Sequence, residues 1–216
     1  MNSKSETNVF IYGTGGHSLV VSEILKLQGI NIAFYMDRKE SITTDKFLDK
    51  PLISEEEFFN SQQHKIQNAV IAVGNSQIRE KITQKLEKHG IKLFTAIHPS
   101  AIISPTATIG AGSVICAGAI IGTKVTLGKN VIINTKASID HECILENYVQ
   151  VAPGAVLCGN VQVGSHTFIG AGSSIKENLS IGEHSVIAMG AAVIKDIPDQ
   201  VLCAGIPAKI VRSYKK

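Results

Sequence analysis

Residues 108–160 read TIGAGSVICAGAIIGTKVTLGKNVIINTKASIDHECILENYVQVAPGAVLCGN, with an aliphatic residue at every sixth position. The same step of six continues without an insertion in both directions. Its sixteen positions are Ile103, Ile109, Ile115, Ile121, Leu127, Ile133, Ile139, Leu145, Val151, Leu157, Val163, Ile169, Ile175, Ile181, Ile187 and Val193. A period of six fits neither an α-helix nor a long strand. It predicts short strands that wrap into a narrow parallel β-helix, with coils about 4.8 Å apart.

A second column of the repeat predicts the turns. Gly, Asn, His and Asp are frequent three places after each aliphatic residue, and these types tolerate left-handed backbone angles best. We therefore expect positive φ in this turn column, which consists of Gly112, Gly118, Lys124, Asn130, Lys136, Glu142, Tyr148, Gly154, Asn160, His166, Gly172, Asn178, His184, Gly190 and Asp196.

The pattern over residues 100–195 resembles the hexapeptide-repeat acyltransferases, whose coils are left-handed and contain three hexapeptides each. Handedness is implied by the resemblance alone, because crossovers between parallel strands are usually right-handed. The resemblance implies a left-handed parallel β-helix of hexapeptide repeats over residues 98–216, including a C-terminal tail.

The first 97 residues predict a different domain. Strand-like apolar runs occur at residues 9–12, 30–36, 69–73 and 91–97, and amphipathic helices follow the first and third runs. Gly29 and Gly90 are the expected helix stops, and Ser54 is the expected cap of a short acidic helix. This alternation predicts a small Rossmann-like parallel α/β sheet, with ligands beyond the carboxyl ends of its strands.

The turn at residues 13–17, GTGGH, follows the first strand and opens a helix. It resembles part of a dinucleotide fingerprint, with Asp37 near the ribose position, but Ser18 replaces the third glycine. About 95 residues also make only half of a full dinucleotide-binding fold. A mononucleotide or a nucleotide-sugar diphosphate suits this helix N-terminus better, and a turn without any ligand stays possible.

Several segments together resemble the bacillosamine-type nucleotide-sugar N-acetyltransferases, within the sialic acid O-acetyltransferase-like family. They are FIYGTGGHSLV, YMDRKE, AVGNSQIREKITQKL, DHEC and GIPAK. In that family the N-terminal domain holds the nucleotide sugar and the β-helix holds acetyl-CoA. The resemblance implies a nucleotide-sugar site formed by Gly15, Gly16, His17, Asp37, Arg38, Gly74 and Asn75. Arg38 stands where the family often has a second acidic residue.

Asp140, His141 and Glu142 supply the chemistry for acetyl transfer to an amine. The reaction needs a base for the amine proton, donors for the oxyanion and aligned reactants. Histidine has a reference pKa of about 6.5, which suits a base near neutral pH. Glu142 also breaks the Gly/Asn preference of the turn column, as functional residues often do. We therefore predict His141 as the general base, with Glu142 or Asp140 as the partner that fixes its tautomer.

The acetyl-CoA contacts are predicted at Gln150, Gly159, Ala171 and Met189. Gly159 lies one eighteen-residue coil after His141, so we expect it to leave space for the thioester and to direct its N–H at the carbonyl oxygen. The resemblance implies this role too, and it places the pantetheine arm along Ala171 and Met189. At Gln150 many relatives have a histidine that contacts the acetyl donor.

Other chemistries stay open. His166 and His184 are eighteen residues apart, as in a metal hydratase, but the turn column explains both, and we expect no metal. Cys143 is a possible acyl-cysteine nucleophile, although its inward position favours core filling. The basic residues of the tail fit either CoA phosphates or solvent; they are Lys209, Arg212, Lys215 and Lys216.

Composition excludes several function classes. The net charge of +3 is too small for a nucleic-acid binder, and no apolar run approaches the roughly 20 residues of a membrane span. The start MNSKSETN is polar and lacks the apolar stretch of a signal peptide, and the four cysteines form no CxxC or zinc-ribbon spacing. We expect a cytoplasmic protein with reduced thiols.

The residues and the resemblance together predict an enzyme that uses acetyl-CoA. Its acceptor is the 4-amino group of a UDP-linked 4-amino-4,6-dideoxy-N-acetylhexosamine, as in N,N'-diacetylbacillosamine synthesis. We expect a homotrimer with acetyl-CoA between neighbours. A GDP-perosamine-type N-acetyltransferase, a sialic acid O-acetyltransferase and a non-catalytic nucleotide-sugar sensor are the alternatives.

Overall fold

The computed structural model describes residues 7–61 and 66–214 of the chain. The chain divides into two compact units, Met1–Ile97 and His98–Lys216. In the described residues no helix is both long enough and apolar enough to cross a membrane.

The first unit is an α/β sheet domain. Its strands are β1 (Asn8–Tyr12), β2 (Asn31–Asp37), β3 (Lys46–Phe47), β4 (Lys50–Ser54), β5 (Asn68–Ile71), β6 (Lys92–Leu93) and β7 (Ala96–Ile97). Its helices are α1 (Gly16–Leu27), α2 (Glu55–Asn60) and α3 (Ser76–Lys88). The sheet order is β3-β4-β2-β1-β5-β6, and every described neighbouring pair is parallel except β3 with β4. The predicted Rossmann-like sheet is confirmed.

Polar caps and an aromatic core explain this unit. The Ser54 side chain accepts a hydrogen bond from the Glu57 amide at 3.1 Å and starts α2, as expected from the sequence. Phe10 belongs to β1, which lies between β2 and β5 in the sheet. Its ring stacks on Phe34 with ring centroids 5.0 Å apart. Phe58 from α2 packs on Phe10 at the same centroid distance. These rings fill one face of the sheet.

In this unit one element was not predicted and one predicted strand was wrong. The hairpin of β3 and β4 was not predicted, because its strands are short and interrupted by charged residues and Pro51. The predicted strand at residues 91–97 is instead the two short strands β6 and β7. The Phe94 amide still donates to the Ala69 carbonyl at 2.8 Å, and the two-residue pairing of β6 ends there. In α3, Ile82 and Leu86 are buried, whereas Ile78 in the first turn is 41% exposed.

The second unit is a left-handed parallel β-helix of two-residue strands. These are β8 (Ile102–Ile103), β9 (Thr108–Ile109), β10 (Val114–Ile115), β11 (Ile120–Ile121), β12 (Thr126–Leu127), β13 (Ile132–Ile133), β14 (Ser138–Ile139), β15 (Ile144–Leu145), β16 (Gln150–Val151), β17 (Val156–Leu157), β18 (Gln162–Val163), β19 (Phe168–Ile169), β20 (Ser174–Ile175), β21 (Ser180–Ile181), β22 (Val186–Ile187) and β23 (Ala192–Val193). Each strand from β8 to β20 pairs in parallel with the strand eighteen residues further on, as Val114 does with Ile132.

The coils form three sheets. We call sheet I the one containing β10, β13, β16, β19 and β22. Sheet II contains β8, β11, β14, β17, β20 and β23, and sheet III contains β9, β12, β15, β18 and β21. The second residue of each strand points inward, and fourteen of the sixteen predicted aliphatic residues are at most 2% exposed. Ile103 and Ile109 of the first coil are partly exposed.

The turn column behaves as the sequence predicts. Fourteen of its fifteen residues have positive φ, from Gly112 at 76° to Gly190 at 68°. Asp196 is the exception, because the eighteen-residue spacing ends there: the next bridge along the chain, Ile181 with Ile197, spans sixteen residues.

A hairpin ends the described chain. Strand β24 (Val201–Gly205) pairs with β22 of sheet I, and β25 (Ala208–Ser213) returns antiparallel to β24. Lys209 and Arg212 therefore lie on an ordered strand, and the Arg212 guanidinium is 5.4 Å from the centre of the Tyr214 ring. The other two basic residues predicted for the tail, Lys215 and Lys216, lie outside the described residues.

Candidate active site

The turn between β14 and β15 carries the predicted catalytic residues. Asp140 accepts a hydrogen bond from the His141 amide at 2.8 Å, and its own amide donates to the Leu157 carbonyl at 2.9 Å. Glu142 has φ of 59°, and its amide donates to the Thr123 carbonyl at 2.8 Å. Backbone bonds to the coils on both sides thus fix the point where these side chains leave the edge.

The side chains of His141 and Glu142 form a pair at the surface. Nδ1 of the imidazole lies 3.2 Å from Oε2 of the carboxylate, and the His141 side chain is 56% exposed. Since a carboxylate only accepts, the neutral imidazole carries its proton on Nδ1 and presents an unprotonated Nε2. The Asp140 carboxylate binds the backbone instead, so Glu142 is the residue that orients the ring.

Gly159 lies directly against the imidazole. A Cβ atom at Gly159 would overlap Cε1 and Nε2 of His141. The sequence predicted that Gly159 leaves space for the thioester. In this structure the imidazole ring of His141 occupies that space. The glycine allows the imidazole to lie flat along the edge of the next coil.

Gly159→Ala should displace the His141 ring and lower kcat by about tenfold to a hundredfold, because small misplacements of a catalytic group are costly. Steady-state assays of acetyl transfer would measure the change. The matched control is the same substitution in a His141→Ala background, where it should have little further effect. An equal loss in both backgrounds would contradict the steric explanation.

The other three predicted acetyl-CoA residues lie elsewhere on the β-helix. Gln150 begins β16 in sheet I, whereas Ala171 and Met189 follow β19 and β22 at the edge between sheets I and II. The Gly190 amide donates to the Ala171 carbonyl at 2.8 Å, and Met189 is 78% exposed. His141 lies at the edge between sheets II and III. One chain therefore does not bring the predicted base and the predicted pantetheine residues together.

Cys143 is part of the core. Its side chain is fully buried, and Sγ donates to the Cys158 carbonyl at 3.1 Å. Burial raises the pKa of this thiol. A buried, protonated thiol is a poor nucleophile, so the structure argues against the acyl-cysteine alternative.

His166 and His184 form a ring stack with Tyr148 at the third edge, between sheets III and I. The two imidazoles are parallel within 6° with centroids 4.7 Å apart, and the phenol ring continues the stack at 5.0 Å. Face-to-face rings do not converge on a common point as metal ligands must. Among the described residues, no three His, Cys, Asp or Glu side chains are placed to hold a metal ion.

In the first unit, the turn after β1 is fixed by a close backbone contact at Gly13 and by a hydrogen bond from Ser18. Gly13 has φ of 115°, and a Cβ there would meet the Ala72 carbonyl oxygen at 2.9 Å. The buried Ser18 hydroxyl donates to the Gly13 carbonyl at 2.7 Å. Ser18 therefore has a structural role in the place where a dinucleotide fingerprint has glycine. Gly15 caps α1 without a side-chain hydrogen bond, so the first N–H groups of that helix stay available.

Asp37 ties β2 to this turn. Its Oδ2 accepts hydrogen bonds from the Thr14 amide at 3.0 Å and from the Thr14 hydroxyl at 2.7 Å. Asp37 and Arg38 also line a cleft of about 370 Å³ together with Tyr12 and Ile78. Burial and the Glu55 carboxylate raise the pKa of Tyr12. The cleft offers both charged groups and apolar walls beside the predicted nucleotide turn.

Gly74 and Asn75 form the turn between β5 and α3. Asn75 Oδ1 accepts from the Ile78 amide at 3.0 Å and caps the helix. Arg79, one turn into α3, is 1% exposed and donates from Nη1 to the carbonyls of Val73 and Gly74 at 2.9 and 2.8 Å. The sequence analysis missed Arg79, because an arginine on an amphipathic helix normally indicates the solvent face.

His17, in the first turn of α1, lies close to Arg79. Its Nε2 is buried and has no hydrogen-bond partner among the described residues. Burial, assisted by the charge of Arg79, lowers the pKa of His17 from 6.5 to about 4. His17 is therefore neutral at pH 7.

This pKa predicts a pH-dependent loss of stability. Since the folded state disfavours the proton, the unfolded chain binds more protons between pH 6.5 and 4, and stability falls as the pH drops through this range. At pH 5 the His17 contribution should reach about 2 kcal/mol. Urea unfolding at pH 7 and pH 5 should show a correspondingly smaller loss in His17→Gln. An equal loss in both proteins would contradict the low pKa.

Comparison with known proteins identifies the family. Residues 8–86 match the PglD N-terminal domain. GDP-perosamine N-acetyltransferase of Escherichia coli O157:H7 is 30% identical over 138 residues, 64% of this chain and 57% of that protein. UDP-N-acetylbacillosamine N-acetyltransferase of Bacillus subtilis is 35% identical over 114 residues, 49% of each chain. The chain thus spans about half the length of the curated relatives it matches.

A solved structure extends the match to both units. PerB of Caulobacter crescentus, in complex with CoA and GDP-perosamine, is 33% identical over 95% of this chain and 97% of that chain, with a TM-score of 0.89. This chain belongs to the PglD-type family of nucleotide-sugar N-acetyltransferases. The family membership accounts for both units, the α/β domain and the left-handed β-helix.

Proposed function

We propose that the chain is an acetyl-CoA-dependent N-acetyltransferase for a nucleotide-linked 4-amino-4,6-dideoxy sugar, with His141 as general base. The single observation that carries the proposal is the His141–Glu142 pair at an open edge of the β-helix. Its geometry turns Nδ1 towards the carboxylate and leaves Nε2 for the amine proton, on a side chain that is 56% exposed. The relatives named above act on amino sugars of this kind, and PerB binds CoA together with its sugar nucleotide.

The chemistry follows from this pair. The neutral amine attacks the thioester carbonyl carbon, and His141 Nε2 takes a proton from the nitrogen as the C–N bond forms. The tetrahedral intermediate then expels the CoA sulfur, which receives the proton from the imidazolium. Glu142 stabilises the positive imidazolium through Nδ1. The Gly159 N–H is our proposed donor for the oxyanion.

The α/β unit is the proposed nucleotide-sugar site. The turns after β1 and β5 supply Gly15, Gly16, His17, Gly74 and Asn75 at the carboxyl ends of two adjacent parallel strands. Two helix N-termini lie there, which favours a diphosphate. The cleft lined by Asp37 and Arg38 is our candidate for the ribose and base.

For the acceptor, a UDP-linked 4-amino-4,6-dideoxy-N-acetylhexosamine is our first candidate. The Bacillus subtilis relative, which acts on UDP-N-acetylbacillosamine, supports this choice. A GDP-perosamine-type sugar is the second candidate, supported by the Escherichia coli relative and by PerB.

A homotrimer completes the proposal. The base lies at one edge of sheet II, and Ala171 and Met189, two of the residues proposed for acetyl-CoA binding, lie at its other edge. The outer side of sheet II exposes Ile102, Ile120 and Val156 at 65%, 42% and 38%. Such an apolar strip suits a neighbouring copy, which would bring its own Gln150, Ala171 and Met189 towards His141. All four cysteines are free thiols, in keeping with a cytoplasmic enzyme.

The test is mass spectrometry of acetyl transfer from acetyl-CoA to UDP-linked and GDP-linked 4-amino sugars. We expect acetylation of one of these amines, with sedimentation of the protein as a trimer. Transfer only to a hydroxyl acceptor would favour the O-acetyltransferase alternative. Tight binding without any transfer, unchanged in His141→Ala, would favour the sensor.

A further inference from the structure

Arg79 is one of the largest fully buried side chains among the described residues, and it lies beneath the proposed nucleotide-sugar turns. It is 1% exposed, and its Nη1 donates to the carbonyls of Val73 and Gly74 at 2.9 and 2.8 Å. Both carbonyls belong to the chain as it leaves β5 and enters α3. Burial of a guanidinium is costly, so a surface position on α3 would be easier to maintain.

The carbonyls held by Arg79 belong to a turn that lies against the turn after β1. Strands β1 and β5 are paired, and the Ala72 amide donates to the Tyr12 carbonyl at 2.8 Å. Gly13 approaches Ala72 so closely that a Cβ atom would not fit there. The N-termini of α1 and α3 therefore follow the carboxyl ends of two adjacent strands, each with N–H groups that have no partner within the helix.

The charge of Arg79 also acts on the turn after β1. His17 lies in the first turn of α1, and the nearby guanidinium is one of the two causes of its low pKa. The first cause is burial. The same positive potential that disfavours a proton on His17 favours a negative group bound above the two turns.

We infer that Arg79 is a positioning residue for the diphosphate of the nucleotide sugar, an inference that rests on the proposed function. Its guanidinium draws the Val73 and Gly74 carbonyls towards the interior and places a fixed positive charge under both helix N-termini. The diphosphate then meets N–H donors without opposing carbonyl oxygens. Arg79 acts through the turn and through its field, and it does not touch the ligand.

The experiment compares nucleoside diphosphates with nucleosides. Calorimetric titration of the full-length protein with UDP and GDP, and with uridine and guanosine, separates the phosphate contribution from the base contribution. Arg79→Met, of similar length but without charge, should weaken the better-bound diphosphate at least tenfold and its nucleoside less than threefold. Arg79→Lys, which keeps the charge, should recover most of the lost affinity.

Two further readouts separate positioning from general damage. In Arg79→Met the KM for the sugar nucleotide should rise at least tenfold, while the KM for acetyl-CoA stays unchanged. NMR titration of His17 should show a higher pKa in this variant. Thr83→Ala is the matched control, because Thr83 is also buried on α3 and donates to the Arg79 carbonyl at 2.8 Å. It carries no charge and should leave diphosphate affinity within threefold.

The possible results distinguish failure of this inference from failure of the proposed function. If Arg79→Met does not fold, Arg79→Gln takes its place, since its amide still donates to the turn carbonyls. Equal losses for diphosphate and nucleoside, wild-type affinity in the neutral variants, or the same loss in Thr83→Ala would overturn the inference. Failure of the wild-type protein to bind either UDP or GDP would instead overturn the proposed nucleotide-sugar function.

Discussion

His141→Ala is expected to lower kcat for acetyl transfer by about 10²-fold to 10⁴-fold, the usual contribution of a positioned general base. The KM for the sugar nucleotide should change little, because its proposed site lies in the α/β unit. Nε2 is the imidazole nitrogen left to take the amine proton, since Nδ1 faces Glu142 Oε2 at 3.2 Å. Initial-rate assays with saturating acetyl-CoA would measure the loss.

Matched variants sharpen this test. Glu142→Gln keeps an oxygen acceptor for Nδ1 but removes the charge that stabilises the imidazolium, so kcat should fall by about tenfold. His184→Asn replaces a histidine of the turn column, φ 51°, by a residue that tolerates this conformation. It should retain wild-type activity. A His141→Ala protein with near-normal turnover would remove the base assignment.

The β-helix could be predicted from the sequence because its six-residue pattern is local and repeated. Within each six-residue unit, the aliphatic residue marks the inward position and the turn-column residue marks the turn. A single period therefore fixes strand length and register. The turn column shows that the position in the repeat determines the backbone conformation. Even Lys124, Glu142 and Tyr148, which are poor candidates for a left-handed conformation, adopt it at 57°, 59° and 62°.

The geometry around His141 was predictable only in part. The eighteen-residue coil placed Gly159 against His141, but it did not reveal that the ring itself occupies the space above the glycine. Spacing along a coil also did not show that Ala171 and Met189 lie at another edge from His141. That separation depends on which sheet precedes each turn, and the sequence analysis did not follow the order of the sheets.

The α/β unit was harder to predict because its decisive contacts are not periodic. The hairpin of β3 and β4 has strands too short for a pattern, and Pro51 argues against a strand. Arg79 has an ordinary helical environment in sequence, and only the structure shows its guanidinium under two turns. A polar residue at a core-facing helical position, one turn after a glycine-containing cap, is the signal that could have revealed it.

Leu145→Ala should destabilise the β-helix by about 2–5 kcal/mol, because it removes a fully buried aliphatic side chain and leaves a cavity. Leu145 lies in sheet III between Leu127 and Val163, its partners in the coils on either side. A narrow β-helix has few ways to collapse around the gap, since each coil is fixed by backbone bonds to its neighbours. Urea unfolding of the purified protein would measure the change.

Ile144→Ala is the matched control from the same strand. Ile144 points outward and is 45% exposed, so its truncation should cost less than about 1 kcal/mol. The two variants remove similar aliphatic groups at adjacent positions and differ mainly in the direction of the side chain. The period of six requires that Leu145 be the costly position. If Ile144→Ala were instead the more destabilised protein, the inward and outward faces of sheet III would be exchanged, and the register of the whole β-helix would be wrong.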